Sequence, residues 1–234
     1  MSKQELVTRL RRELQRAAAL RQPAAGTDDV AARLSVKRFQ SERMASTHSD
    51  LLAAADSKAA ALFFLNDLYG QQNPARRDSD IERIVPAMEK LLPASALATV
   101  AEALSLDALS EELDAAMAAQ LGTDFSMQNY SDAYRSMPRL QREKQLALVA
   151  SLGKSLSELV DAPLIGRTLK LMRGPAKLAG LSTLQQFLER GFDAFRQLHQ
   201  PQAFVDVIVA RERIILENLY AGKSNPFNVT GHAK

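Results

Sequence analysis

The chain reads as an all-α protein, an irregular multi-helix bundle of about nine to ten helices without significant β-sheet. Composition is the first support: Leu and Ala dominate, with ten Gly, nine Pro and 6% aromatic residues among 234. Ala, Leu, Arg, Glu and Gln are strong helix formers. Periodicity is the second, because nearly every segment repeats apolar residues three and four apart and none alternates with period two. Third, these segments are joined by short breaks with no Gly/Ser-rich linker. With 46% apolar and 24% charged residues, the chain has a globular and not a disordered balance.

A first helix spans 3–21, with Leu6, Leu10 and Leu14 on one face and Arg9, Arg12 and Arg16 on another. Gln22 to Thr27 breaks it, and Thr27 or Asp28 can cap the next helix. That helix covers 29–54, with Val30, Leu34, Phe39, Met44, Leu51 and Leu52 as candidate core positions. Asp56 or Ser57 caps a short apolar helix from Lys58 to Tyr69, ended by Gly70 at the left-handed position. Asp78 or Ser79 opens another through Ile81, Ile84, Val85, Met88, Leu91 and Leu92, kinked or divided at Pro86 and stopped at Pro93. Helices over 94–104 and 107–121 follow, the second opening at Asp107 and closed by Gly122. A short helix covers 126–136, and Pro138 starts a longer one to Val160. Beyond Pro163 a helix to Arg173 gives way at Gly174-Pro175 to a turn or two ending at Gly180. Ser182 caps a helix to 199, and the last runs over 202–220 after the split at Gln200-Pro201.

No repeat of about 20–50 residues is present, which disfavours a solenoid. Residues 28–221 are expected to form a single helical domain, preceded by a basic amphipathic helix and linker over 1–27 and followed by a flexible tail over 222–234. Charge is uneven: residues 1–43 carry a net +5, residues 94–132 seven acids and no base, and residues 163–201 a net +4. Opposite blocks can face each other after folding, or they can leave a polarised surface that steers a charged partner. The start lacks the apolar core of a signal peptide. The longest strongly apolar run, Ala59 to Leu65, is seven residues, far short of the roughly 18 that span a bilayer. The expectation is a cytoplasmic protein with no transmembrane segment.

The most distinctive stretch is Ala59-Ala-Ala-Leu-Phe-Phe-Leu-Asn-Asp-Leu-Tyr-Gly70. Leu62, Leu65, Leu68 and Tyr69 share a helical face and Phe63 and Phe64 widen it to nearly the whole circumference, the pattern of a central core helix. Three further elements accompany it: Arg77-Asp78-x-Asp80-Ile-x-Arg83-Ile-Val-Pro86, Leu171-Met-Arg-Gly-Pro-Ala176, and Leu184-x-x-Phe-Leu-Glu-x-Gly-Phe-x-x-Phe195. Together they resemble a family of uncharacterised bacterial helical proteins marked by an FFLxxLYG motif, over roughly residues 38 to 220. The resemblance implies an all-helical cytoplasmic protein and brings no assigned activity, so no catalytic or binding residue follows from it.

Several chemistries are closed by the residues themselves. The absence of Cys excludes disulfides, thiolate metal sites and cysteine nucleophiles. His48, His199 and His232 have no acid three residues before them, which excludes the Glu-x-x-His form of a di-iron bundle. No two His have zinc-ligand spacing. Gly222-Lys-Ser lacks the rest of a P-loop, and no GxSxG is present. His48, with Arg43 one turn and a little before it, is either a polar helical histidine or a general base or haem ligand. Asp107, Glu111 and Asp114 share a helix face, as a solvated stripe or as half of a cation site. No catalytic set, metal or cofactor is assigned.

Binding candidates remain. Arg9, Arg12 and Arg16 oppose the leucines of the first helix and suit docking to a partner, with no Trp or Phe to anchor them in lipid. Arg167, Lys170 and Arg173 form a second basic stripe, which Lys177 joins only if the helix passes Gly174-Pro175. Too little positive charge and too few stacking aromatics accompany these residues for a nucleic-acid site. Phe187, Phe192 and Phe195 on one face, with Phe63, Phe64 and Tyr69, are either core or the lining of a pocket for an apolar small molecule, with Arg43 and His48 as polar groups. The expected function is non-enzymatic binding to another protein or to a second copy. The alternative is an apolar-ligand or haem-like pocket, or an enzyme, inside the bundle.

Overall fold

Apolar stripes on helices demand other helices to cover them, and among the described residues all regular structure is helical. The structure, a computed structural model, describes residues 1–22, 27–65, 82–83, 85–86, 88–90, 92–162, 164–178 and 182–229. In chain order the helices are α1 (Lys3–Arg21), α2 (Thr27–Thr47), α3 (Ser49–Ala53), α4 (Lys58–Phe63), α5 (Ala94–Leu121), α6 (Met127–Ser136), α7 (Arg139–Val160), α8 (Ile165–Leu178), α9 (Ser182–Arg196) and α10 (Pro201–Tyr220). Residues 82–83, 85–86 and 88–90 are helical as well. The expected caps at Asp78 and Ser79, the end at Tyr69 and Gly70, and Ile81, Ile84 and Leu91 lie outside the described residues.

α5 is the spine. Its 28 residues extend about 42 Å, and α1, α2, α6 and α7 all pack on it. The two helices expected here are one. Ser105 stays within the helix because its hydroxyl donates to the Ala101 carbonyl at 2.9 Å, and buried Leu104 and Ala108 hold both sides of the expected break. Gly122 closes the helix at φ +66°, as its sequence position suggests. On one end of the spine, Leu6, Val7, Leu10 and Leu14 of α1 join Val85, Met88, Leu97, Ala101 and α8 residues Ile165 and Met172 in one apolar cluster. On the other, Ala32 and Val36 of α2 meet Leu109, Leu113 and Met117 of α5 and Tyr130 of α6. A third cluster, away from the spine, joins α4, α7, α9 and α10.

α1 starts at a reciprocal cap that the Ser-x-x-Glu spacing encodes: Glu5 donates its backbone N–H to the Ser2 hydroxyl at 3.2 Å, and the Ser2 N–H donates to the Glu5 carboxylate at 2.7 Å. This helix lies along α5 with its leucines buried. α2 departs from expectation more sharply. Val30 and Leu34 are exposed, because the side of α2 bearing Ala32 and Val36, about 200° round the helix, occupies the contact with α5. The helix also breaks at His48 (φ −113°, ψ 27°) before resuming as α3. Ser57 precedes α4 without capping it, its hydroxyl donating instead to the Leu51 carbonyl at 2.7 Å. α4 is not apolar all round either. Ala60, Ala61 and Phe63 are buried while Leu62 is exposed, with α3 and α9 packed against the helix among the described residues.

α8 runs unbroken through Gly174-Pro175. The carbonyl that a proline at 175 leaves without its helical donor belongs to Leu171, an exposed residue, so water can satisfy it. The expected flexible tail from Gly222 is instead packed up to residue 229: Pro226 is fully buried, the Asn218 amide donates to its carbonyl at 3.0 Å, and Phe227 sits against Phe39 and Tyr130.

Two glycines let helices approach closely. A Cβ at Gly191 of α9 would sit 2.6 Å from the Phe63 ring, and one at Gly153 of α7 would sit 2.3 and 2.6 Å from the two γ-methyls of Val205 on α10. Alanine improves helix propensity by about 1 kcal/mol over glycine, but overpacking costs about 1–3 kcal/mol. Since the Val205 Cβ itself would lie at 3.0 Å, no rotamer relieves the clash. Gly153→Ala should therefore lower stability in urea denaturation, and Gly153→Ala combined with Val205→Ala should fall less than the sum of the two single losses. Strict additivity would show that α7 and α10 do not touch at this glycine.

Candidate functional site

Part of the acidic block lies on the inner face of α5. Asp107, Glu111 and Asp114 do share that face, but Glu111 and Asp114 are buried, so it is not a solvated stripe. Burial of charge demands partners, and they come from the basic N-terminal block. Arg21 pairs with Asp107 and, through Nε, with Glu111 at 3.2 Å. Lys37 of α2 reaches the same Glu111 oxygen at 2.6 Å. The Gln40 amide donates to Asp114 at 2.9 Å. Burial pushes the Asp114 carboxyl above its ordinary value, opposed by Lys37, Gln40 and Arg142. Cations and an amide thus engage one oxygen of each acid, Asp107 Oδ2, Glu111 Oε1 and Asp114 Oδ1. The first basic candidates are drawn in as well: Arg16 pairs with Glu112, Arg9 donates to the Ser105 hydroxyl at 3.3 Å, and exposed Arg12 pairs with Glu13 at 2.9 Å.

His48 and Arg43 come together, on a residue that sequence reading missed. The His48 ring, 6% exposed, places Nε2 3.0 Å from Glu212 of α10, and Arg43 pairs with the same carboxylate oxygen. A carboxylate only accepts, so Nε2 carries the proton; that nitrogen is then unavailable to a haem iron. One residue away, Arg211 grips Asp50 of α3 through two hydrogen bonds of 2.6 and 2.7 Å. Burial acts to raise the Glu212 carboxyl, but the Arg43 charge and hydrogen bonds from His48 and Arg43 outweigh it and hold it at about 2. The Arg211 hydrogen bonds hold Asp50 at about 2 as well. No spacing rule links positions 43 and 48 to 212.

The aromatic candidates form a packed group. Phe64 lies 5.7 Å from Phe195 and 6.2 Å from Phe204, ring centre to ring centre, and 6.4 Å from Phe63. Phe192 packs over Gly166 of α8. Tyr69 and the Phe187 side chain lie outside the described residues. A second aromatic group, which the sequence did not disclose, gathers Phe39, Phe125, Tyr130, Tyr134, Tyr220 and Phe227 from five separate segments. Over it lies Arg142, 3% exposed, its guanidinium 4.3 Å from the Tyr134 ring centre. Burial pushes the Tyr130 and Tyr134 phenols upward. A groove of about 110 Å³ between α2 and the α5–α6 loop is lined by Ser35, Arg38, Phe39, Glu42, Thr123, Asp124 and Phe125, apart from the expected phenylalanine pocket.

The second basic stripe stays at the surface. Ile165, Met172 and Ala176 turn α8 inward, leaving Arg167, Lys170, Gly174 and Lys177 exposed. Because the helix is unbroken, Lys177 belongs to the stripe, whereas Arg173 is tied to Glu189 of α9 at 2.6 and 2.8 Å. Beside the cations, Leu164 and Leu171 are 67% and 78% exposed.

Fold and geometry together define, among the described residues, an all-helical protein with much of its charge paired internally and a basic, leucine-bearing outer face on α8. The family described as a domain of unknown function (DUF8198) matches residues 19–226, and the chain belongs to it. No curated protein and no solved structure matches. No helix among the described residues is long and apolar enough to cross a membrane.

Removing the Glu212 charge should expose how much rests on it. Glu212→Gln leaves Arg43 buried without its counter-ion and should cost about 3–5 kcal/mol at neutral pH. A carboxyl depressed in the folded state stabilises above its unfolded pKa and loses that contribution as pH falls, here from about 4.5 toward about 2. Urea denaturation at pH 7, 4 and 2.5 should show a flatter acid limb in the variant, with Asp50 supplying the slope that remains. An acid limb identical to wild type would remove Glu212 from this role.

Proposed function

We propose that this chain is a non-enzymatic cytoplasmic protein that works by binding another protein through the outer face of α8. One observation carries the reading: Leu164 and Leu171, two turns apart, stand exposed beside Arg167, Lys170 and Lys177, which enter none of the ion pairs among the described residues. Scattered exposed leucines are ordinary, but leucines aligned on one helix with cations beside them mark an interaction surface. The contrast with α1 supports this, since Arg9 and Arg16 of its basic face bond to α5 and Arg12 pairs with Glu13 of its own helix. Arg173 contributes by fixing α8 against α9, so that the outer face is presented by a rigid element.

The absence of native cysteine makes a site-specific test direct. A Cβ at Gly174 meets nothing within 4 Å, so Gly174→Cys can carry a photo-cross-linker without disturbing the fold. In lysate of the source cell it should give a discrete protein adduct that disappears on adding Leu164→Asp and Leu171→Asp. A control label at exposed Ala210 of α10 should not give it. Adducts no stronger from position 174 than from position 210 would sink the proposal.

A further inference from the structure

We infer that the partner held on α8 is an acidic amphipathic helix, a conclusion that rests on the docking reading above. At about 100° per residue, the buried residues Ile165, Met172 and Ala176 set the inward direction, and Gly174 and Arg167 point about 180–200° away from it. Lys170 and Lys177 lie to one side of that pole, and Leu171 and Leu164 to the other. The face is thus a cationic ridge running beside a leucine ridge, with only glycine backbone between them at position 174. Leu164 to Lys177 extends about 20 Å, room for about four turns of a second helix.

A helix fits this surface if its carboxylates fall opposite Arg167, Lys170 and Lys177 and its apolar residues fall against Leu164 and Leu171. Such a pairing satisfies both ridges at once, and the charge match sets orientation and speeds encounter. Two other surfaces fit less well. A helix lying on a membrane turns its apolar residues to the lipid pole and its cations to the edges. Here Arg167 stands near the pole and Leu164 and Leu171 lie about 60–80° to one side of it, and α8 cannot roll because Ile165 and Met172 are buried against α1 and α5 residues while Arg173 is held by Glu189. Nucleic acid asks for stacking aromatics with the cations, and the exposed face of α8 has none.

Three probes separate these outcomes by fluorescence anisotropy and sedimentation: a labelled 21-residue peptide helix of Leu and Glu, the same peptide with Lys for Glu, and vesicles of phosphatidylcholine with phosphatidylglycerol. The full chain should bind the Glu peptide and not the Lys peptide, and binding should weaken about tenfold or more between about 50 and 300 mM salt. Arg167→Glu with Lys170→Glu should abolish Glu-peptide binding, transfer binding to the Lys peptide, and leave the melting temperature unchanged. Equal binding of both peptides, indifference to charge reversal, or sedimentation with vesicles in place of peptide binding would overturn the inference. Cross-linking from position 174 to a neutral or basic segment would overturn it too, while leaving the docking reading standing; absence of any adduct would remove both.

Discussion

The carboxylate of Glu111 is the constraint around which the bundle is arranged. It is buried at the middle of the spine helix α5, and an isolated buried carboxylate costs several kcal/mol. Arg21 from the last turn of α1 and Lys37 from the middle of α2 both reach it. Those two contacts fix the register of two helices on a third. Sliding α1 by one turn would shift Arg21 by about 5.4 Å and take one of the two cations from the acid, while Leu6, Leu10 and Leu14 would slide against Leu97 and Ala101. Apolar packing alone tolerates such slippage better, since leucines one turn apart are interchangeable knobs. The charged contacts therefore select one arrangement among several that bury comparable apolar area.

Glu212 repeats the device at the other end of the chain. It draws Arg43 and His48 to α10, while its neighbour Arg211 takes Asp50 and the Thr47 carbonyl. The break between α2 and α3 falls between these anchors. A straight helix from 27 to 53 would carry Asp50 away from Arg211 or His48 away from Glu212, so the turn at His48 is where the chain reconciles both. The last residues then cover this region: Phe227 lies beneath the Arg43 guanidinium, 5.8 Å from ring centre, with Pro226 buried beside Asn218. First helix, last helix and tail are thus tied through α2, although local sequence treats both ends as detachable.

What was legible in the sequence divides along the same line. Helices α1, α6, α7 and α10 follow from apolar period and flanking Pro, Gly and Ser, because those signals act within a few residues. The breaks that misled are also local signals, overruled by context. Ser105-Leu-Asp107 resembles a helix start, yet the serine bonds back to its own helix; Gly174-Pro175 resembles a stop, yet the helix runs through it and the residue whose carbonyl loses its donor, Leu171, is exposed. Val30 and Leu34 repeat four apart like core positions, but α2 turns the opposite side, Ala32 and Val36, onto α5. The partners of His48 and Glu111 were illegible for a simpler reason. They lie on other helices, 74 to 164 residues away, and a charge on a helix looks the same in sequence whether it will face solvent or a buried counter-ion.

The distribution of charge gives the outer face of α8 its meaning. Of the two basic blocks, the N-terminal one is answered within the fold by the acids of α5: Arg16, Arg21 and Lys37 all terminate there. That leaves α5 no carboxylate face to offer the second block at 163–201, which meets acids only within itself, as when Glu189 takes Arg173. Arg167, Lys170 and Lys177 remain at the surface, solvated at no cost and free of the entropy loss that a weak surface pair would impose. The leucines beside them are a different matter, because exposed apolar area at positions 164 and 171 stabilises nothing in the free protein. Substituting polar residues there would leave the core untouched, so fold stability does not account for them. A partner that covers the leucines and matches the cations accounts for both features with one contact.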